Sequence, residues 1–171
     1  MSTKILLTSF DTWLSHQLSN ASDDLLIQLQ KKTLLEQNWH FVRQLPVEIP
    51  RASERVIKAI EQLNPELIIC CGMAERRYHL TLESNARGNN QKIFTTVNLS
   101  QLVNQLSYTS ISHDAGQFVC EGLYYQVLSH LQNTSSTRQV LFIHVPIFTS
   151  TNFSKIMLDV RQIIDNDFSK V

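Results

Sequence analysis

Two residues of this chain have the types and spacing that nucleophilic catalysis needs, a thiol at Cys120 and an imidazole at His144. A cysteine attacks as its thiolate, so it needs a lowered pKa or a base within hydrogen-bond reach, and a neutral imidazole is such a base. Cys120, Tyr124, Val127, Leu128 and Leu131 recur at i, i+4, i+7, i+8 and i+11, the spacing of one buried helix face that Cys120 opens. Asp114 with Gln117 three residues on has the form of a capping box, which predicts a helix start near Asp114 or Gly116. A helix beginning there sets Cys120 near unpaired N–H groups and the positive end of the helix dipole, which favours the thiolate within the first turn. After a turn over residues 132–138, the apolar run Gln139–Pro146 reads as a strand with Val140, Phe142 and His144 on one face. A helix packed on a sheet can bring Cys120 and His144 together. The same pattern also fits a small core cysteine and a hydrogen-bonded histidine at a strand end, and periodicity leaves both readings open.

The elements that must position this pair alternate along the chain. Lys4–Phe10 reads as a short apolar strand, with Phe10 and Trp13 just past its end, where open α/β sheets bind ligands. Ser22 is an N-cap for a helix through about Leu35, and Trp39–Val47 is a strand. In Arg51–Leu63, Val56, Ile60 and Leu63 form a helical stripe that Asn64-Pro65 stops. Glu66–Gly72 is continuously apolar, as in a strand covered on both faces, and Cys70-Cys71 belongs to that core. Tyr78–Ala86 alternates, with Leu80 and Leu82 on one face and His79, Thr81 and Glu83 on the other, so Glu83 is a carboxylate emerging from a sheet. Leu99–Leu106 reads as a short helix and Asn152–Phe168 as an amphipathic one with a purely structural face. The expected fold is a three-layer α/β/α sandwich around a mostly parallel sheet, with an antiparallel pair near Tyr78–Ala86.

Composition narrows the class of partner. The 171 residues suit one domain over 1–171 with a proper core, and 43% hydrophobic with 18% charged content is that of a soluble globular chain. Fifteen basic residues balance fifteen acidic ones, so no net field recruits nucleic acid or an anionic membrane. No apolar run approaches a membrane span, which leads us to expect a cytoplasmic protein. Three cysteines do not suggest a disulfide framework, and Cys71 with His79 lacks the spacing of a metal site.

The segments Gly116–Cys120 (GQFVC) and Phe142–Pro146 (FIHVP) resemble the AGxYxCN and F-x-HVP motifs of the pyroglutamyl peptidase I family, the pyrrolidone-carboxylate peptidases. Lys4–Trp13 (KILLTSFDTW) is similar to that family's opening KILxTGFxPF, and Leu45-Pro46-Val47 to its LPV. Cys71–Ala86 (CGMAERRYHLTLESNA) resembles its G-x-AGGR segment followed by ERxAxN, and all these matches occur in order between residues 4 and 146. The resemblance implies a phosphorylase/hydrolase-like architecture and a cysteine peptidase that removes an N-terminal pyroglutamyl residue without metal or organic cofactor. It implies Cys120 as nucleophile, His144 as base and Glu83 as the acid that orients His144. Phe10 and Trp13 would grip the lactam ring, and Asn20 and Met73 would complete the substrate side. The implied partner is a peptide or small amide with N-terminal pyroglutamate, and the resemblance leaves room for a homo-oligomer.

The chain departs from the pattern in several places. Trp13 replaces a Phe, Leu14-Ser15 replaces Gly-Gly, Ala21 replaces the Pro of NPS, and Glu75-Arg76 replaces a second Gly-Gly while Arg77 is kept. Arg87–Thr96 stands where the family carries a longer loop with an Arg near the oxyanion site, and that role is not transferred to Arg87. These departures imply slow cleavage and an open pocket. They also define a second reading, a catalytically weak or silent homologue that binds a small ligand or protein partner.

Overall fold

The apolar runs at Ile5–Phe10 (β1) and Leu67–Met73 (β3) are buried along nearly their whole length, as parallel strands covered on both faces must be. They occur in a computed structural model that describes residues 3–32 and 38–166. With Trp39–Leu45 (β2), Leu80–Glu83 (β4), Thr109–Ser112 (β7) and Gln139–Val145 (β8) they form a six-stranded sheet of order β2-β1-β3-β8-β4-β7. β2, β1, β3 and β8 are mutually parallel, whereas β4 runs antiparallel to β8 and parallel to β7. The expected antiparallel pair at Tyr78–Ala86 is therefore β4 against β8.

Alternation along each strand supplies two cores. Ile5, Leu7, Ile69, Leu141 and Ile143 face the helices Ala21–Lys32 (α1), Leu99–Val103 (α3) and Phe153–Ile164 (α5). Leu6, Ile68, Cys70, Val140 and Phe142 face Ile49–Leu63 (α2) and Val119–Asn133 (α4). The three-layer sandwich expected from the sequence is the architecture observed, and Cys70 and Cys71 are core residues within it.

Several boundaries differ from expectation, each for a local reason. α1 begins at Ala21, and its cap is Asn20, whose Oδ1 accepts from Ser22 N at 3.0 Å, so Ser22 lies inside the helix. Its expected reach to Leu35 lies outside the described residues, as does the expected end of α5 at Phe168. α2 starts at Ile49 because Pro50 is accommodated in a first helical turn. α4 starts at Val119, not near Asp114 or Gly116. Asp114 Oδ1 accepts instead from Gly116 N at 3.0 Å, and Gly116, at φ +94°, cannot begin a right-handed helix. The segment expected to be a shortened loop at Arg87–Thr96 contains a hairpin, Asn85–Gly88 (β5) against Gln91–Phe94 (β6). Asn89 and Asn90, both at positive φ, supply its two-residue turn.

Candidate active site

Register in the sheet brings the expected acid and base together. β4 crosses β8 antiparallel with Thr81 opposite His144, so Glu83, two residues on, shares the face of Thr81 and His144. His144 Nδ1 meets Glu83 Oε1 at 2.7 Å, with both side chains almost wholly inaccessible. This arrangement commits Nδ1 to the carboxylate and presents Nε2 as the nitrogen for a proton transfer. The Arg77 guanidinium contacts the same carboxylate oxygen and Thr81, and its Nη2 donates to the Asp114 carbonyl at 2.9 Å. The Phe142 ring packs 5.0 Å from the imidazole centroid, and Tyr124 donates to the backbone carbonyl of Glu83 at 3.1 Å.

The electrostatics of Glu83 follow from these partners. Burial pushes its carboxyl up, but the hydrogen bond and charge of His144, with help from Ser112 and Arg77, hold it below its ordinary value. It is thus an anion able to orient the ring and stabilise an imidazolium.

Cys120 enters from the other side. It is the second residue of α4, whose N-terminus carries no side-chain cap at Phe118, so the first N–H groups lack that partner and face the thiol end of the helix. Sγ lies directly against the backbone of Gly72, the residue paired with His144 in the β3–β8 register. A Cβ at Gly72 would come within 2.6 Å of it. The helix end does not produce the expected thiolate. Burial, reinforced by the Glu83 charge, pushes the thiol up to about 12, and Arg77 offsets only part of this. Among the described residues no hydrogen bond joins Cys120 to His144, so folding alone does not pair the thiol with its base.

Cys120 and His144 line one cavity of about 470 Å³, a size suited to a small ligand, together with Trp13, Ile49, Met73 and Phe118. Trp13 is 54% exposed at the mouth, and its ring lies 6.0 Å from that of Phe118, itself 70% exposed. Met73 is on the wall, where its sulfur also accepts from Ala21 N at 3.3 Å. Phe10 and Asn20 are elsewhere. Phe10 is a core residue beside Leu6 and Leu45, because alternation along β1 puts it on the face of Leu6. Asn20 is buried, caps α1 and donates to the Asp11 carbonyl at 3.0 Å, which anchors the loop that carries Trp13. Sequence reasoning assigns no role to Phe118 or Gly72, although both stand inside the matched motifs, and marks Arg77 only as a retained residue. Arg87 is held by Glu121, with Nε at 2.9 Å from Oε1, and by Asp114. Among the described residues no group of three or more His, Cys, Asp or Glu side chains could hold a metal ion.

The same chain matches known proteins in sequence and in fold. A family model described as pyroglutamyl peptidase matches residues 89–164. The pyrrolidone-carboxylate peptidase of Bacillus licheniformis is 26% identical, with 91% of this chain and 83% of the relative covered. That of Bacillus cereus strain G9842 is 28% identical, with 83% and 77% covered. Pyroglutamyl peptidase I from Bacillus amyloliquefaciens has the same fold, with a TM-score of 0.79 at 21% identity over 95% of this chain and 93% of that one. A mutant pyrrolidone carboxyl peptidase from Pyrococcus furiosus likewise superposes with a TM-score of 0.79 at 20% identity, with 94% and 96% covered. Motifs, fold and relatives agree, and the chain is similar in sequence and in fold to the pyroglutamyl peptidase I family.

Proposed function

We propose that the protein is a cysteine exopeptidase that removes an N-terminal pyroglutamyl residue, with Cys120 as nucleophile, His144 as base and Glu83 as the acid that holds His144. The observation that carries the reading is the 2.7 Å contact of Glu83 with His144 Nδ1 at the wall of a cavity that Cys120 shares. The proton of Cys120 passes to His144 Nε2 as Sγ bonds to the pyroglutamyl carbonyl carbon. The N–H groups at the start of α4 stabilise the oxyanion. The amide C–N bond then breaks, the leaving amine takes the proton from His144, and a thioester remains on Cys120. Water, deprotonated by His144, hydrolyses that thioester and returns the thiol. Trp13 and Met73 supply the apolar wall for the lactam ring, and Phe10 supports that wall from the core. No step calls for a metal or organic cofactor.

The remaining assignments belong to the same proposal. Residues 1–171 act as one domain, and the three free cysteines suit a reducing compartment such as the cytoplasm. No described helix is long and apolar enough to cross a membrane.

The elevated Cys120 thiol and its lack of a bond to His144 favour one second reading, a weak or silent homologue that binds a small ligand or partner. A chromogenic pyroglutamyl amide, assayed beside its proline and glutamine analogues, separates the two. Hydrolysis of the pyroglutamyl compound that vanishes in Cys120→Ala is the expected result. Hydrolysis of another amide alone would move the substrate class, and no hydrolysis of any would leave the binding protein.

A further inference from the structure

The loop that carries Trp13 is poorly held by apolar burial. Trp13 and Leu14 are exposed, and Leu18 is 103% exposed, so its tip gains little from the hydrophobic effect. Polar contacts must hold the tip instead, and they converge on one side chain. Gln17 Oε1 accepts from the backbone N–H groups of Trp13 at 3.0 Å and Leu14 at 3.2 Å. Gln17 Nε2 donates to Glu75 Oε1 at 2.6 Å, and His16 Nε2 lies 3.3 Å from both Glu75 oxygens. Glu75 follows β3 by two residues, on the loop that continues from Met73 at the cavity wall. Hydrogen bonds from Gln17 and then His16 hold its carboxyl below its ordinary value, so it is a charged acceptor.

We propose that Glu75 is a positioning residue of the substrate pocket, which acts through Gln17 to fix the backbone of Trp13 and so the place of the indole beside Cys120 and His144. It stands at a position where the family pattern has glycine. A side chain there straps one rim loop to the other. The strap rests on the reading of this cavity as the substrate pocket. It acts on binding, since Glu75 touches neither the thiol nor the imidazole.

The test compares Glu75→Ala, Gln17→Ala and Glu75→Gln. Steady-state kinetics on the pyroglutamyl amide are measured with acrylamide quenching of Trp13, in a Trp39→Phe background that leaves one of the two tryptophans. Glu75→Ala and Gln17→Ala should raise KM roughly three- to tenfold with kcat changed by less than about twofold, and should make Trp13 more quenchable. Glu75→Gln should stay near the parent in both readouts, since its amide oxygen can accept the same bond from Gln17. Unchanged KM in Glu75→Ala, or Glu75→Gln behaving like Glu75→Ala, overturns the strap. A parent protein that does not turn over the amide defeats the proposed function, and quenching alone then decides the strap by the same criteria.

Discussion

The two halves of the site are built differently. His144 and Glu83 are buried, bonded to each other at 2.7 Å, and buttressed by Arg77, Thr81 and Phe142. Cys120 lines the cavity with a thiol that, among the described residues, bonds to no base, and Trp13 and Phe118 stand at the mouth with rings that meet solvent. The acid–base half is thus assembled by folding itself, while the nucleophile half awaits a substrate to exclude water and draw the thiol proton toward His144. The first should tolerate nothing, and the second should be tunable.

The largest effect should come from the nucleophile. Cys120→Ala should lower kcat/KM by on the order of 10⁴-fold or more, while changing stability by less than about 1 kcal/mol in thermal unfolding. Parent-like turnover in that variant would remove Cys120 from the chemistry.

Glu83 should couple activity to stability. Glu83→Gln should cost about 10²- to 10⁴-fold in kcat, because a neutral amide neither selects the Nδ1–H tautomer nor stabilises the imidazolium. Glu83→Ala should also destabilise the protein by about 3–5 kcal/mol, since it strips a partner from partly buried Arg77 and from His144. A variant as stable as the parent would mean that the two halves are not distinct in this way.

Gly72 lies where the halves touch. Gly72→Ala puts a Cβ 2.6 Å from Cys120 Sγ and 3.0 Å from the Phe142 ring, so the thiol must move. Denaturant unfolding should report a loss of about 1–3 kcal/mol, and turnover should fall with it. Unaltered turnover would show that the thiol position is loosely specified.

The smallest effects are in pH. The Glu83 carboxyl is held below its ordinary 4.5 in the folded protein, so its contribution is present above that pH and is lost as pH falls through the lower folded value. The stability advantage of the parent over Glu83→Gln should therefore be full near neutrality and shrink on acidification below 4.5. Iodoacetamide should modify Cys120 before buried Cys70 and Cys71, slowly at neutral pH and faster as pH rises. A fast neutral-pH reaction at Cys120 would indicate a thiolate already paired with His144.

The contrast between halves also explains what residue order discloses. Strand alternation is a local property, so the shared face of Val140, Phe142 and His144 and the exit of Glu83 from its strand are legible in the sequence. So is the burial of Phe10 on the face of Leu6, whereas the capping role of Asn20 is not. It depends on how the chain turns after β1, where Asn20 Oδ1 accepts from Ser22 N and Asn20 Nδ2 donates to the Asp11 carbonyl. The start of α4 falls later than its pattern suggests because an Asp-x-Gly turn and a capping box share their first residue, and only the positive φ of Gly116 separates them. Gly72 acts through contacts with Cys120 and Phe142, far along the chain, which no spacing encodes, whereas Arg77 reaches Thr81 and Glu83 nearby and Asp114 far away.

The most direct test of the account is covalent trapping. The protein is incubated with a chloromethyl ketone built on pyroglutamate, and the adduct is located by peptide mass mapping. The account predicts one adduct, on Cys120, formed more slowly in His144→Ala and suppressed by excess pyroglutamyl amide. An adduct on another residue, or a Cys120 that iodoacetamide modifies and the pyroglutamyl reagent ignores, would contradict it.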